Sequence, residues 1–207
     1  MFPENKKNNP KFPDYWDKKY LLNESQWDIG EPTPIFVDWF QKNKEKKKIL
    51  VPGCGKGHDA FFLAKLGHDV YALDFAQEAV DYMIRYARKH DVHINILNKN
   101  IFDMKEYYGQ FDIVLEYTFF CAIPVDSRQE YIKTIFDLLN DNGKLIGIFL
   151  PIKKNLDEGG PPFGVYLPEV LNMFKNYFKI IQCYESALSI KPRLGNEKFV
   201  EMKKCIK

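Results

Sequence analysis

Val51-Pro52-Gly53-Cys54-Gly55-Lys56-Gly57-His58-Asp59 is the stretch on which the fold turns. The apolar run before it, residues 48–52 (KILVP), has the length of a short buried strand, and residues 60–66 after it carry helical apolar spacing that stops at Gly67. A strand, a glycine turn and a helix in that order present main-chain N–H groups at a helix start, where a ligand can come close to the backbone. The next apolar run, residues 70–74 (VYALD), ends on Asp74, 21 residues after Gly53. A carboxylate there can accept hydrogen bonds from both hydroxyls of a ribose.

Outward from this stretch, strands alternate with helices. Residues 77–89 place Val80, Ile84 and Ala87 on one helical face, and residues 94–97 read as a short third strand. Residues 111–117 (FDIVLEY) and 145–150 (LIGIFL) read as strands around a helix over 128–139, whose end is marked by Asp141-Asn142-Gly143. The alternation predicts an α/β fold, with a mostly parallel sheet covered by helices on both faces. After the turn-rich residues 157–164 (DEGGPPFG), a helix near 168–176 opens with a proline, and strands over 178–186 and 198–206 are expected to pair as a terminal antiparallel unit.

Composition bounds the function classes. The 207 residues suit one domain, 1–207, and 30 Lys+Arg against 28 Asp+Glu leave a formal charge of +2, too balanced to predict nucleic acid as a partner. The lysine-rich residues 41–48 read as a solvated connector. Cys54, Cys121, Cys183 and Cys205 are widely spaced, without a C-x-x-C pair or a metal-ligand pattern, so neither a disulfide framework nor a metal is expected. Residues 1–13 lack the apolar core of a secretory signal, and there is no run of 18 apolar residues. The expectation is a cytoplasmic, membrane-free protein, monomeric for want of a heptad pattern.

The glycine spacing discriminates among nucleotide ligands. It is G-x-G-x-G, not the G-x-G-x-x-G of dinucleotide folds, and Lys56 is not followed by the Ser or Thr of a P-loop. A nicotinamide-dependent reductase would need the longer spacing and a proton donor of the Tyr-x-x-x-Lys kind, which the chain lacks. A nucleoside without phosphates, S-adenosylmethionine, fits such a turn. His58 and Asp59 read as helix-start residues, and His68, His90 and His93 as surface residues.

Four segments carry a resemblance. Residues 27–34 (WDIGEPTP), 51–59, 116–123 (EYTFFCAI) and 159–163 (GGPPF), in this order, resemble the thiopurine S-methyltransferase family, and most closely its plant and microbial branch of thiol and halide methyltransferases. The resemblance spans roughly residues 16–194 and implies a class I methyltransferase, Rossmann-like fold of seven strands with the last antiparallel. It implies S-adenosylmethionine as cofactor, with Trp27 at its methionine end, Trp16 and Tyr20 closing the site, Gly53 against its amino-acid part, Asp74 on the ribose, Asn100 and Ile101 beside the adenine, and Tyr117 near the sulfonium. Residues 1–45 would form the cover over that site. Asn100 stands where relatives often carry an acid, and Glu116 where they commonly carry Asp.

Methyl transfer from a sulfonium needs alignment and exclusion of water more than a dedicated base. Trp27, Tyr117, Phe119 and Phe120 could stabilise the sulfonium through their ring faces, with Phe119 and Phe120 as the candidate acceptor pocket. The end of the fourth strand lacks the [DNS]-P-P-[YFW] sequence common to amine methyltransferases of nucleobases, which disfavours an exocyclic amine; the resemblance implies a small thiol, sulfide or halide as the acceptor, with Tyr117 or Arg193 to orient it. The competing expectation is a protein that binds S-adenosylmethionine without turnover, or that uses another acceptor.

Overall fold

A computed structural model describes residues 6–206. The chain builds helices α1 (Pro13–Leu21) and α2 (Pro34–Lys42) before its first strand, and then β1 (Lys48–Pro52), α3 (His58–Lys65), β2 (Asp69–Asp74), α4 (Gln77–His90), β3 (Asn95–Asn98) and β4 (Phe111–Tyr117). It continues with α5 (Arg128–Leu138), β5 (Leu139–Phe149), α6 (Leu167–Phe174), β6 (Phe178–Tyr184) and β7 (Lys198–Lys204). All seven strands join one sheet in the order β3-β2-β1-β4-β5-β7-β6. The pairs among β1 to β5 are parallel, and β7 runs antiparallel to both β5 and β6.

The period-two alternation of strand side chains divides the apolar residues between the faces. Leu50, Val114 and Leu145 point to one face, where Tyr131, Ile132 and Ile135 of α5 and Phe174 of α6 complete a buried cluster. Ile49, Val51, Leu115 and Ile146 point to the other, against Phe36 and Phe40 of α2, Phe61 of α3 and Met83 of α4. Helices therefore cover both faces, and the carboxyl ends of β1, β2 and β4 lie together at one edge beside the β1–β4 switch, where open α/β sheets bind ligands.

Two local expectations are corrected, and a third gains a partner. Asp141-Asn142-Gly143 does not close a helix as a free turn: β5 already begins at Leu139, pairs Leu139 with Phe111, and resumes at Lys144 opposite Ile113 after a bulge. His68 is buried, not on the surface; its Nδ1 accepts from the Lys47 N–H at 3.1 Å and its ring meets Phe40 edge-on at 5.3 Å. Asp59 stands in the first turn of α3 and also binds another segment. Its two oxygens accept from the Thr33 N–H at 2.7 Å and the Thr33 hydroxyl at 2.8 Å, which anchors the entry to α2. Residues 1–5 and 207, parts of the expected cover and single domain, lie outside the described residues. Among the described residues no helix is long and apolar enough to cross a membrane.

Candidate active site

The glycine turn after β1 is built on left-handed backbone. Gly53, Gly55 and Gly57 have φ of +56°, +56° and +77°, which side-chain-bearing residues rarely adopt. Gly55 donates its N–H to Asp74 Oδ2 at 2.9 Å, and Ala76 donates to Asp74 Oδ1 at the same distance, so the acid at the end of β2 is clamped to the turn after β1. Asp74 is buried, and desolvation pushes its carboxyl up to about 6, the two N–H bonds opposing the rise. Each oxygen keeps a further lone pair for an incoming hydroxyl.

In front of Asp74 opens a cavity of about 590 Å³, within the range of small-molecule sites. Gly53, Asp74, Asn100 and Ile101 form its sheet side, Trp16, Tyr20 and Trp27 its cover, and Phe119 and Arg193 also border it. The cover is an aromatic knot: the Trp27 ring meets Trp16 at 5.3 Å and Tyr20 at 5.5 Å, both edge-on. Arg193 pins it, since its Nη2 donates to the Trp27 carbonyl at 2.7 Å and its guanidinium lies 4.8 Å from the Tyr117 ring centroid. The other terminal nitrogen of Arg193, Nη1, is buried and has no hydrogen-bond partner.

Two expected site residues stand elsewhere. Tyr117 borders a smaller neighbouring cavity of about 60 Å³, which shares Trp27, Gly53 and Thr118 with the large one; its hydroxyl donates to Glu197 Oε2 at 3.3 Å. Phe120 is buried in the core, 5.4 Å from the Phe149 ring and 6.0 Å from Phe174. The reason lies between them: Thr118 adopts φ +62°, which breaks the alternation at the strand end and turns Phe120 inward while Phe119 stays at the cavity. Phe119 covers Gly53 so closely that a β-carbon on Gly53 would stand 2.0 Å from the Phe119 ring.

A sequence profile of the thiopurine S-methyltransferases matches residues 12–205. The chain belongs to the thiopurine S-methyltransferase family. It is similar to the probable thiol methyltransferase 2 of Arabidopsis thaliana, 30% identical over 196 residues that cover 91% of this chain and 84% of that protein. It is also similar to the thiopurine S-methyltransferase of Vibrio parahaemolyticus, 27% identical over 180 residues, 79% of this chain and 82% of the relative. Among solved structures, magnesium protoporphyrin IX methyltransferase of Synechocystis with bound S-adenosylmethionine superimposes with a TM-score of 0.71 at 15% identity, covering 99% of this chain and 100% of the other. The 1,6-didemethyltoxoflavin methyltransferase of Burkholderia thailandensis, bound to S-adenosylhomocysteine, gives 0.73 at 16% identity, covering 94% and 87%. These structures share the class I methyltransferase fold with this family member. The chain is an S-adenosylmethionine-dependent methyltransferase, and the reductase alternative falls.

The cavity suits that cofactor on its own evidence. A buried carboxylate with free lone pairs serves vicinal hydroxyls, Ile101 offers an apolar surface, and three aromatic rings border the space. Sequence reading of this methyltransferase missed its polar supports. Asp28 accepts from Lys56 at 2.9 Å and pairs with His58 Nε2 at 2.9 Å, and with these partners its carboxyl is held well below the usual carboxylate range, most strongly by His58. The acidic partner that His58 lacks in local sequence lies 30 residues away. Glu116, the one acid among the last five residues of β4, is fully buried, a signal its apolar neighbours could have given.

Proposed function

We propose that this methyltransferase transfers the methyl group to a small soft nucleophile, a thiol, sulfide or halide, by in-line displacement within the aromatic-bordered cavity. Bound S-adenosylmethionine supplies an electrophilic methyl on a sulfonium. Trp16, Tyr20 and Trp27, within the cover formed by residues 6–45, close over the methionine end and exclude water, and Asp74 accepts from the ribose hydroxyls. Asn100 Oδ1 already accepts from the Phe102 N–H at 3.1 Å, so the amide donors of Asn100 and the apolar side of Ile101 serve the adenine.

The observation that carries the acceptor class is the want of a poised base. None of the four histidines borders the large cavity. Asp74 is committed to two backbone N–H groups, Glu24 and Glu130 stand at its exposed rim, and burial pushes the Cys121 thiol up to about 12. An acceptor must therefore bring its own anion. A halide does so, and a thiol of ordinary pKa near 8.5 is a few per cent ionised at neutral pH. Arg193, which borders the cavity, is the cation at hand to orient that anion. Tyr117, beneath the guanidinium, positions it.

The test is headspace gas chromatography with mass detection after incubating the protein and S-adenosylmethionine separately with hydrosulfide, a small thiol, an aromatic thiol and iodide. Methylated product above an Asp74→Ala control is the expected result, and the ranking of acceptors assigns the branch. No product in any vial while S-adenosylhomocysteine still binds by calorimetry would overturn the acceptor class.

A further inference from the structure

The turn after β4 encloses a carboxylate that the proposed chemistry does not use. Glu116 Oε1 accepts from the backbone N–H groups of Phe119 at 3.1 Å and Phe120 at 2.7 Å, and Oε2 accepts from the Tyr131 hydroxyl of α5. Gly147 lies opposite Glu116 in the sheet register, and a β-carbon there would stand 3.2 Å from that of Glu116. Between Glu116 and its two amides sits Thr118, a β-branched residue at φ +62°. Such a conformation persists only where the surroundings over-determine it, and the three donors converging on Glu116 do so. The turn they fix carries Phe119, whose ring lies on Gly53 at the cavity.

The same cluster reaches the loop of residues 159–164. Arg128, at the start of α5, is 2% exposed, its guanidinium lies 4.6 Å from the Phe120 ring centroid, and its Nη2 donates to the Gly164 carbonyl at 3.1 Å. Its charge acts on Glu116, favouring the ionised carboxylate against burial. A direct bond adds to this tie: the Phe163 N–H donates to the Cys121 carbonyl at 2.7 Å. Pro161 and Pro162, just before these contacts, also border the cavity.

We infer that Glu116 is a positioning residue for methyl transfer: it fixes Phe119 against Gly53 and, with Arg128, sets the spacing between that wall and the loop of residues 159–164. The kinetic arm of this inference rests on the proposed acceptor class; the structural arm does not. An in-line displacement tolerates little play, since a misplacement of about 1 Å can cost about 100-fold in rate.

The test is a cycle of Glu116→Gln, Phe119→Ala and the double variant, with Glu116→Asp as the conservative change. Glu116→Gln keeps the shape and removes the charge. It is expected to speed hydrogen exchange at the Phe119 and Phe120 amides about tenfold or more, and to lower kcat about 10- to 100-fold with a smaller change in acceptor KM. In the Phe119→Ala background the further loss should vanish, because Glu116 acts through Phe119, and Glu116→Asp should recover part of the rate. Unchanged exchange with kcat within about twofold of the parent, or losses that multiply in the double variant, would overturn the inference. If the parent protein methylates no acceptor offered, the proposed acceptor class fails, and the cycle is read on the Kd of S-adenosylhomocysteine. A several-fold rise that disappears in the Phe119→Ala background then supports the inference, and an unchanged Kd overturns it. If Glu116→Gln does not fold, Tyr131→Phe removes one donor to the same carboxylate and is expected to give the same pattern at smaller size.

Discussion

The Gly55 N–H donates to Asp74 Oδ2 at 2.9 Å, so the glycine turn after β1 and the acid that ends β2 form one rigid unit at the sheet edge. Removing the acid is therefore expected to do two things at once: to deprive the ribose of its proposed acceptor and to release the turn. Asp74→Asn is expected to weaken S-adenosylhomocysteine binding about 10- to 100-fold, the worth of one hydrogen bond to a charged group at about 1.5–3 kcal/mol. Isothermal calorimetry measures it, and a Kd within about twofold of the parent would contradict this role.

The affinity should also follow pH. Burial raises the Asp74 carboxyl to about 6, and the ionised form is the better acceptor for two hydroxyls. Cofactor affinity is expected to rise between about pH 5 and pH 7 and to level off above, and the rise should be absent in Asp74→Asn. Titrations in buffers matched for ionisation heat would read it.

Stability should run the other way. Desolvation raises Asp59 and Asp74 to about 6 and Glu116 to about 7, so between roughly pH 4 and pH 7 the folded chain holds protons that the unfolded chain releases. Stability contributed by these groups is present at low pH and falls as pH rises through that window. His68, lowered by burial, opposes them near pH 6, one group against three. The low-lying Asp28 contributes stability that is lost only at pH values below this window. The thermal midpoint is expected to be higher near pH 5 than near pH 8, with a shallower slope in Asp59→Asn.

Gly53→Ala probes the contact with Phe119. The substitution places a β-carbon 2.0 Å from the Phe119 ring and forces a left-handed φ at a cost of about 1–2 kcal/mol. A lower thermal midpoint and weaker cofactor binding are expected. Adding Phe119→Ala should recover the steric part and leave the backbone part, a non-additivity that calorimetry and thermal melts both report.

Arg193→Lys separates geometry from charge. Lysine keeps the charge but lacks the planar fork that reaches the Trp27 carbonyl while lying over Tyr117. Acceptor KM is expected to rise about tenfold or more, with Trp27 fluorescence shifting as the cover loosens. Kinetics and a spectrum matching the parent would reduce Arg193 to a surface charge.

Periodicity and composition were enough to place β1 over residues 48–52 and β4 over residues 111–117, because a strand buried on both faces is a mostly apolar run whatever surrounds it. They were also enough for the glycine turn and for Asp74, since left-handed backbone and an acid at a strand end are local properties. From these came the α/β sheet and its terminal antiparallel pair, whereas the class I fold and most of the expected site residues came from the family resemblance; nine of the eleven border the large cavity. Tertiary structure alone decided the rest. Arg193 meets Trp27 across 166 residues, Asp28 meets His58 across 30, and Asp59 meets Thr33 across 26. Phe119 and Phe120 are neighbours of equal chemistry, yet one borders the cavity and the other fills the core, because the backbone turns at Thr118 just before them, with both their N–H groups on the Glu116 carboxylate. A pattern of residue types records what each segment prefers in isolation; which buried charge finds which partner is set by how the strands cross in the sheet, where the cost of leaving a polar group unpaired selects the contact.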